Sequence, residues 1–302
     1  DTLFRMAGER QDERMQAVAI ATQLDYYYFQ GTNEDSVIHY TNKVKEFAKA
    51  THQPKYYYFA WANRLITYYL KTSRTNIALY EVQNMLKEAQ EEDDKTGLSR
   101  CYNIMSQIYT IKRFDSMAFE WRLKEIELTE KYKLENYNIS QTYAQIANYY
   151  INQKKQKEAL AAVEKAIATA NSSTQQISAK LEFVNYYSKF GDFQAAEKLL
   201  KECQAAFEQD KRLESIKKRL YNIECLYYQQ TKQYQKALEA AKMQEKEERR
   251  LSESILSSIH YRTQGEIYQK MGNMNLAVKY LQMYINTDDS LKIANEQVAS
   301  SE

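Results

Sequence analysis

Residues 258–284 read SIHYRTQGEIYQKMGNMNLAVKYLQMY. The segment predicts two helices joined by a short turn, because Tyr261, Gly265 and Tyr268 recur at helical spacing before GNMN, and Ala277 and Leu281 do so after it. Gly265 and Ala277 lack bulk, so the two helix backbones can approach closely while the tyrosines fill the space around that contact. One such hairpin cannot bury its own apolar faces, so the chain must supply others.

A tyrosine in the phase of Tyr268 recurs along the chain at intervals of 37 to 41 residues. These phased tyrosines are Tyr28, Tyr69, Tyr109, Tyr150, Tyr187, Tyr228 and Tyr268. A small apolar residue follows each of them nine positions later. These phased small residues are Val37, Ala78, Ala118, Ala159, Ala196, Ala237 and Ala277. The repetition predicts about seven stacked helical hairpins.

The order of small residue, tyrosine, turn, alanine and bulky apolar residue resembles the tetratricopeptide repeat, whose usual period is ~34 residues. Two repeats carry the best matches: Gly265, Tyr268, Gly272, Ala277 and Leu281, and Val184, Tyr187, Gly191, Phe193, Ala196 and Leu200. The resemblance covers residues 15–284 and implies an all-α fold, a right-handed superhelical α-solenoid. The period near 40 implies helices about a turn longer than usual. Asp25 stands at a small-residue position of the first repeat, which suits a terminal capping repeat.

The predicted organisation is one continuous array over residues 15–286, flanked by two other segments. Residues 1–14 form a polar N-terminal segment, and residues 287–302 form a terminal helix leading to a C-terminal region outside this sequence. Thr287, Asp288, Asp289 and Ser290 read as the N-cap cluster that opens this helix. The chain has one proline and six glycines among 302 residues, which agrees with an all-helical fold.

The charge pattern argues against a nucleic-acid partner. Lys and Arg number 42 and Asp and Glu number 40, and the two signs are interspersed rather than gathered into a basic patch. No apolar run approaches the ~18 residues of a membrane span. The chain begins at Asp1 without methionine, so we expect any membrane contact to be made through segments removed from either end.

Signatures of catalysis are missing from the sequence. It has no glycine-rich phosphate loop, no HExxH and no GxSxG, so we expect no enzymatic activity, no cofactor and no metal. The candidate ligands are scattered over different repeats or lack CxxC spacing: His39, His52, His260, Cys101, Cys203 and Cys225. Buried free thiols are the favoured interpretation, and a disulfide between Cys203 and Cys225 is the alternative.

The resemblance also implies a binding groove, because stacked hairpins curve and their first helices line the concave face. With each phased tyrosine as position 11, positions 2, 5, 9 and 12 face the groove. Polar residues there are Asn63, Arg100, Asn103, Gln107, Asn148, Asn185, Asn222, Gln229, Arg262 and Gln269. Amides donate and accept hydrogen bonds, so a row of them suits an extended peptide, and Arg100 and Arg262 could clamp a carboxylate. The alternative is that these are ordinary exposed helix residues.

Aromatic residues offer two further candidates for contact with a ligand. Tyr26 and Phe29 would close the N-terminal end of the groove. Tyr56, Tyr57, Tyr58, Phe59 and Trp61 form the densest aromatic cluster of the sequence; packing between hairpins is the favoured interpretation, and a binding patch is the alternative. The following acidic loop, residues 91–97, is predicted to cap the next helix.

The chain is similar to the extracytoplasmic sensor regions of bacterial membrane-bound two-component kinases and related regulators. This resemblance implies a non-catalytic sensor on the periplasmic face of a membrane-anchored protein. The sensor would bind a peptide or protein in the groove, and whether it forms a homodimer is left open. One alternative is a stand-alone scaffold for protein–protein interaction. Another is the regulatory domain of a cytoplasmic, peptide-responsive transcription regulator, which would need a DNA-binding module outside this segment. Asn103→Ala combined with Asn148→Ala is expected to abolish binding while changing the thermal midpoint little.

Overall fold

A computed structural model describes residues 2–31, 33–251 and 258–301, of which residues 251 and 290–301 are described by their backbone alone. These residues form helices and turns without a strand. The α-helices are α1 Thr2–Glu9, α2 Glu13–Gln30, α3 Glu34–Ala50, α4 Pro54–Ala60, α5 Thr67–Lys71, α6 Thr75–Glu91, α7 Lys95–Ile111, α8 Asp115–Tyr132, α9 Ile139–Asn152, α10 Gln156–Ala168, α11 Ser173–Phe190, α12 Phe193–Gln209, α13 Lys217–Gln230, α14 Tyr234–Leu251, α15 Ile259–Lys270 and α16 Met274–Ser301.

Two segments depart from α-helical geometry. Trp61–Ile66 is a π-helix that joins α4 to α5, and Lys211–Ile216 is a 3-10 helix that leads into α13. The first helix of the second hairpin is therefore the run from α4 through the π-helix to α5. The predicted hairpins are observed as the pairs α2/α3, α4–α5/α6, α7/α8, α9/α10, α11/α12, α13/α14 and α15/α16. The predicted fold class, an all-α solenoid of helical hairpins, is confirmed.

The chain divides into two compact units. Unit 1 comprises Asp1–Leu134 together with Asn295–Glu302, and unit 2 comprises Glu135–Ala294. The core of unit 1 gathers around Trp61, Ile66 and Ile108. Unit 2 has one core cluster around Leu181 and Ile223 and another around Ile267.

The repeat register predicted from the phased residues matches the packing. The seven phased small residues are 0–2% exposed, and each sits where the second helix of a hairpin approaches the first. Tyr28, Tyr69 and Tyr268 are buried and the other four phased tyrosines are half-buried. In the last hairpin a Cβ on Gly265 would lie 2.9 Å from Leu281 Cγ. The close approach of two helices that the sequence indicated is therefore real.

The predicted turns fall at the observed helix ends. Gly31, Gly191 and Gly272 end first helices with positive φ angles of 67°, 90° and 77°, a backbone region that glycine enters at little cost. Asp94 in the acidic loop caps α7, since its carboxylate accepts a hydrogen bond from the Gly97 backbone N–H at 3.0 Å. Residue 32, part of the first predicted turn, lies outside the described residues.

Only the C-terminal of the two flanking segments differs from the expectation. The polar segment predicted for residues 1–14 contains α1, which packs on the first hairpin through an edge-to-face contact of Phe4 with Phe47 at 5.8 Å. At the other end, the predicted N-cap cluster at residues 287–290 is wrong, because α16 runs unbroken from Met274 to Ser301. No glycine or proline separates the two parts, so helical hydrogen bonding continues through them. Residues 1 and 302 of these segments are outside the described part of the chain.

The aromatic cluster near the second hairpin is mainly a packing element, as favoured. Tyr58 and Trp61 are 8% and 0% exposed, and Tyr56, Tyr57 and Phe59 pack against the same core while half-buried. Asp25, predicted to serve a capping repeat, forms an ion pair with Arg64 of the next hairpin. The Arg64 guanidinium also lies 4.3 Å from the Phe59 ring centre. Asp25 thus joins two hairpins of unit 1.

The three cysteines are free and buried, so the alternative disulfide between Cys203 and Cys225 is absent. Burial raises the pKa of Cys101 and of Cys203 to about 12, and that of Cys225 to about 11. The thiolate is the reactive form.

We therefore expect iodoacetamide at pH 8 to label the native protein more than about a hundredfold more slowly than the unfolded protein, whose thiols have a pKa of about 8.5. The native rate should keep rising with pH above 9, where the unfolded rate levels off. Mass spectrometry of quenched samples measures both rates. A thiol labelled equally fast in both states would contradict its burial.

Candidate functional site

The predicted groove residues divide between the units. Unit 1 carries Asn63, Arg100, Asn103 and Gln107, and unit 2 carries Asn148, Asn185, Asn222, Gln229, Arg262 and Gln269. Their exposure differs. Asn63, Gln107, Arg262 and Gln269 are exposed, Asn185 is 8% exposed, and the others are half-buried. We call the surface formed by positions 2, 5, 9 and 12 of the first helices the first-helix face.

A buried carboxylate organises this face in unit 2. Glu182 on α11 is 1% exposed. Its Oε1 accepts hydrogen bonds from Asn148 Nδ2 at 3.2 Å and Asn185 Nδ2 at 2.8 Å. Its Oε2 accepts one from Arg219 Nη2 at 2.7 Å. The network satisfies the buried charge and joins three successive first helices, α9, α11 and α13.

Unit 1 has a related arrangement. Glu125 on α8 is 2% exposed, and Asn103 Nδ2 lies 3.1 Å from its Oε2. Gln107 Nε2 in turn donates to Asn103 Oδ1 at 2.7 Å. Asn103 is thus held between a buried carboxylate and a second amide. Three of the predicted amides, Asn103, Asn148 and Asn185, contribute to the interior as well as to the first-helix face.

These contacts revise the expectation for the Asn103→Ala, Asn148→Ala double variant. Removing the two amides takes a donor away from each of two buried glutamates, and a buried carboxylate that loses a hydrogen bond destabilises the fold by about 1–3 kcal/mol. The thermal midpoint should therefore fall. This variant cannot separate binding from stability.

A cavity of about 160 Å³ opens among the first helices of unit 2. It is lined by Ser140, Gln141, Ala144, Thr174, Gln175, Ser178, Ala179, Ile216 and Arg219. Gln141, Ser178 and Arg219 occupy position 2 of three successive repeats. We call this the position-2 cavity. It is a concave feature of the first-helix face, lined by hydroxyl, amide and guanidinium groups with a few apolar carbons.

Arg219 has an unused donor at this cavity. Its Nε is buried and has no hydrogen-bond partner in the described part of the chain, whereas its Nη2 is taken by Glu182. A buried donor without a partner costs free energy until something accepts from it. Because Glu182 offsets the charge of Arg219, the cavity suits a hydrogen-bond acceptor in general, including a neutral carbonyl oxygen.

Sequence reasoning missed both Arg219 and Glu182. Arg219 stands at position 2, so the repeat register contained the signal that could have found it. Glu182 stands at position 6, outside the groove-facing set, and carboxylates on helices are usually solvated. Its position between apolar residues in the run LEFV was the sequence feature that could have indicated its burial.

Two of the remaining predicted residues have partners of their own. Arg262 pairs with Glu266 at 2.8 Å on the same helix, and Gln229 Oε1 accepts from Lys270 Nζ at 3.0 Å. Arg100 belongs to unit 1 and Arg262 to unit 2, so the proposed carboxylate clamp gains no support within either unit. Tyr26 and Phe29 are 61% and 73% exposed and remain available to a ligand.

No group of three or more His, Cys, Asp or Glu side chains is arranged in the described part of the chain to hold a metal ion. None of the helices described combines the length and the hydrophobicity needed to cross a lipid bilayer.

Comparison with solved structures identifies the architecture. The apo quorum sensor NprR from B. thuringiensis aligns with a TM-score of 0.60 at 14% identity, over 94% of this chain and 85% of that one. A tetratricopeptide repeat protein from Parabacteroides merdae aligns with a TM-score of 0.55 at 13% identity, over 93% and 99%. The chain has a tetratricopeptide-like fold. NprR in complex with its cognate peptide NprX shares this tetratricopeptide-like fold with a TM-score of 0.60 at 13% identity, over 88% and 77%. No protein-family model and no curated protein sequence matches the chain.

Proposed function

We propose that this chain is a non-catalytic binding module that holds a peptide or protein segment on the first-helix face of its hairpins. The observation that carries the proposal is the position-2 cavity of unit 2, with its unpaired buried Arg219 Nε. An extended peptide presents a carbonyl oxygen at every residue, and such an oxygen supplies the acceptor that this donor lacks.

The structural comparison supports the same class of function. NprR shares the tetratricopeptide-like fold and is known in complex with its cognate peptide NprX. The two chains are 13% identical, so this likeness extends to the fold, and peptide binding by the present chain rests on its own residues.

Within this function we propose the extracytoplasmic sensor region of a bacterial membrane-anchored signalling protein. Ligand binding would change how the hairpins of unit 2 pack, and the long helix α16 would transmit that change. A membrane helix and a kinase or regulator domain encoded next to this segment would agree with the sensor. A gene that encodes neither would favour the stand-alone scaffold, and an adjoining DNA-binding module would favour the transcription regulator.

The test of peptide binding begins with a displayed library of random peptides selected against the protein. Ala144→Leu adds three carbons inside the position-2 cavity, because Ala144 lines it and is 2% exposed. Selected peptides should bind this variant at least about tenfold more weakly than the unaltered protein, a loss of about 1.4 kcal/mol. Isothermal titration calorimetry measures the affinities.

Ala161→Leu is the matched control. Ala161 is an exposed residue of α10, so the same chemical change occurs on a second helix outside the cavity, and affinity should stay within about twofold. Equal loss in both variants, or no loss in Ala144→Leu, would refute the assignment of the cavity. A library that yields no binding peptide would refute peptide binding itself.

A further inference from the structure

A second and larger cavity, of about 400 Å³, lies in unit 1. The C-terminal ends of α3 and α6, the N-terminal end of α4 and the N-cap of α7 surround it. None of its lining residues occupies position 2, 5, 9 or 12, so it is separate from the first-helix face. We call it the helix-end cavity. Its volume falls within the range of small-molecule sites, ~300–1,000 Å³.

The walls of the helix-end cavity are largely apolar and aromatic. Ala48, Pro54 and Ala89 supply aliphatic carbons, and Tyr57 and Tyr58 supply two rings. The rings are held in place at their hydroxyl groups, since Tyr57 Oη lies 3.4 Å from Glu88 Oε1 and Tyr58 Oη donates to Asp94. Such walls suit an apolar stem and can also face a cation, which aromatic rings attract.

The charges around the helix-end cavity are mainly negative. The carboxylates of Glu88, Glu92 and Asp94 line it, together with the ammonium of Lys49. Lys49 Nζ lies 3.0 Å from Glu88 and 2.9 Å from Glu92, and the hydrogen bonds with Glu92 and then Glu88 raise the pKa of Lys49. Helices α3 and α6 end here while α4 and α7 begin here, so the negative and positive potentials of their ends largely offset each other.

A neighbouring lysine illustrates the preference of the aromatic wall for a cation. Lys45 does not line the cavity, but its ammonium lies 5.3 Å from the centre of the Tyr57 ring. Even with Lys45 counted beside Lys49, the three carboxylates against two ammonium groups leave an excess of one negative charge. An anionic or strongly polar neutral ligand would meet unfavourable potential and apolar walls.

We propose that the helix-end cavity binds an organic cation carried on an apolar stem, an amine or guanidinium whose stem contacts the tyrosine rings and whose charge lies near Glu88 and Glu92. The source would be the side chain of a lysine or arginine in a partner protein, or a free aliphatic amine. The proposal is independent of peptide binding on the first-helix face.

The test uses four probes in calorimetric titrations of the whole chain. They are N-acetyl-lysine methylamide, N-acetyl-arginine methylamide, cadaverine and, as the uncharged analogue that lacks the ammonium group, N-acetyl-norleucine methylamide. We expect saturable binding of at least one cationic probe with a Kd of about 1 mM or tighter, and much weaker binding of the norleucine probe. Stronger binding of cadaverine would indicate a free amine, and stronger binding of a lysine or arginine probe would indicate a protein side chain.

Two variants locate the binding. The combined Glu88→Gln and Glu92→Gln change leaves Lys49 without its counter-charges, so the affinity for the cationic probe should fall at least about tenfold. These groups are 40% and 53% exposed, so the fold should tolerate the change. Glu91→Gln is the control, because Glu91 lies on the same helix, is 68% exposed and is outside the cavity; affinity should stay within about twofold.

Three results would overturn the proposal. The norleucine probe could bind as tightly as the lysine probe, the combined Glu88→Gln and Glu92→Gln change could leave the affinity unaltered, or no cationic probe could bind. Circular dichroism of each variant checks that a loss of affinity is not a loss of fold. Ala144→Leu should leave binding of these probes unchanged, which separates this site from the position-2 cavity.

Discussion

Replacing Glu182 with alanine is expected to lower the free energy of unfolding by about 3–5 kcal/mol, the cost of breaking a buried ion pair by removing one partner. Glu182 is 1% exposed and accepts hydrogen bonds from Asn148, Asn185 and Arg219. Without the carboxylate, three donors lose an acceptor and the Arg219 guanidinium loses its counter-charge. Urea denaturation followed by far-ultraviolet circular dichroism measures the change.

Glu202→Ala provides the matched control in the same unit. Glu202 pairs with Lys180, and its side chain is 54% exposed, so the same substitution should cost about 0–1 kcal/mol. If Glu182→Ala proved no more costly than Glu202→Ala, the buried network would not contribute to stability as inferred, and the orientation of the Asn148 and Asn185 amides would need another cause.

Replacing Trp61 with alanine should cost about 3–5 kcal/mol, the range for truncating a fully buried aromatic side chain. Trp61 is 0% exposed and lies in the core of unit 1, with its ring centre 6.4 Å from that of Tyr58. Its indole N–H is buried without a hydrogen-bond partner in the described residues, so its removal recovers a small part of the loss. The same denaturation experiment measures the effect.

Trp121→Ala, which changes the second tryptophan of the chain, is the control for Trp61→Ala. Trp121 is half-buried, with Lys124 Nζ 4.1 Å above its ring and Tyr102 5.4 Å away. Partial burial predicts a cost of about 1–2 kcal/mol. A larger cost for Trp121 than for Trp61 would contradict the placement of Trp61 at the centre of the unit 1 core.

The π-helix at Trp61–Ile66 illustrates what periodicity cannot reveal. Tyr69 has the phase expected from the repeat and is 5% exposed, so the spacing of tyrosines looked regular. The first helix of the second hairpin nevertheless widens into a π-helix at this point, and Thr67 Oγ1 donates a hydrogen bond to Ala62 O at 3.1 Å. The segment WANRLI contains no residue that sets it apart from an α-helix, so the sequence does not reveal the wider turn.

The candidate site likewise combines features that the sequence predicts with features that only the structure reveals. The register correctly placed Asn103, Gln107 and Asn148 on first helices, but it treated their amides as free. The structure shows Asn103 and Asn148 bonded to the buried carboxylates of Glu125 and Glu182. A buried glutamate and an exposed one look alike in a helix of mixed charge, so burial had to be observed.

The helix-end cavity depends equally on tertiary structure. Its lining residues come from the ends of three hairpins, and no motif links Lys49, Tyr57 and Glu88 in the sequence. The aromatic cluster at residues 56–61 is visible in the sequence, but it is consistent both with packing between hairpins and with ligand binding. Packing holds Trp61, while Tyr57 and Tyr58 also form the walls of the cavity.

The sequence by itself determined the helical hairpins, their number and their turns. Each phased tyrosine and the small residue nine positions later belong to the two helices of one hairpin, so their spacing depends on that hairpin alone. Tertiary structure alone decided which carboxylates are buried and where cavities open. Arg219 meets Glu182 across 37 residues, and Tyr57 meets Glu88 across 31. Such contacts depend on how neighbouring hairpins stack, and the local periodicity of a helix carries no record of that stacking.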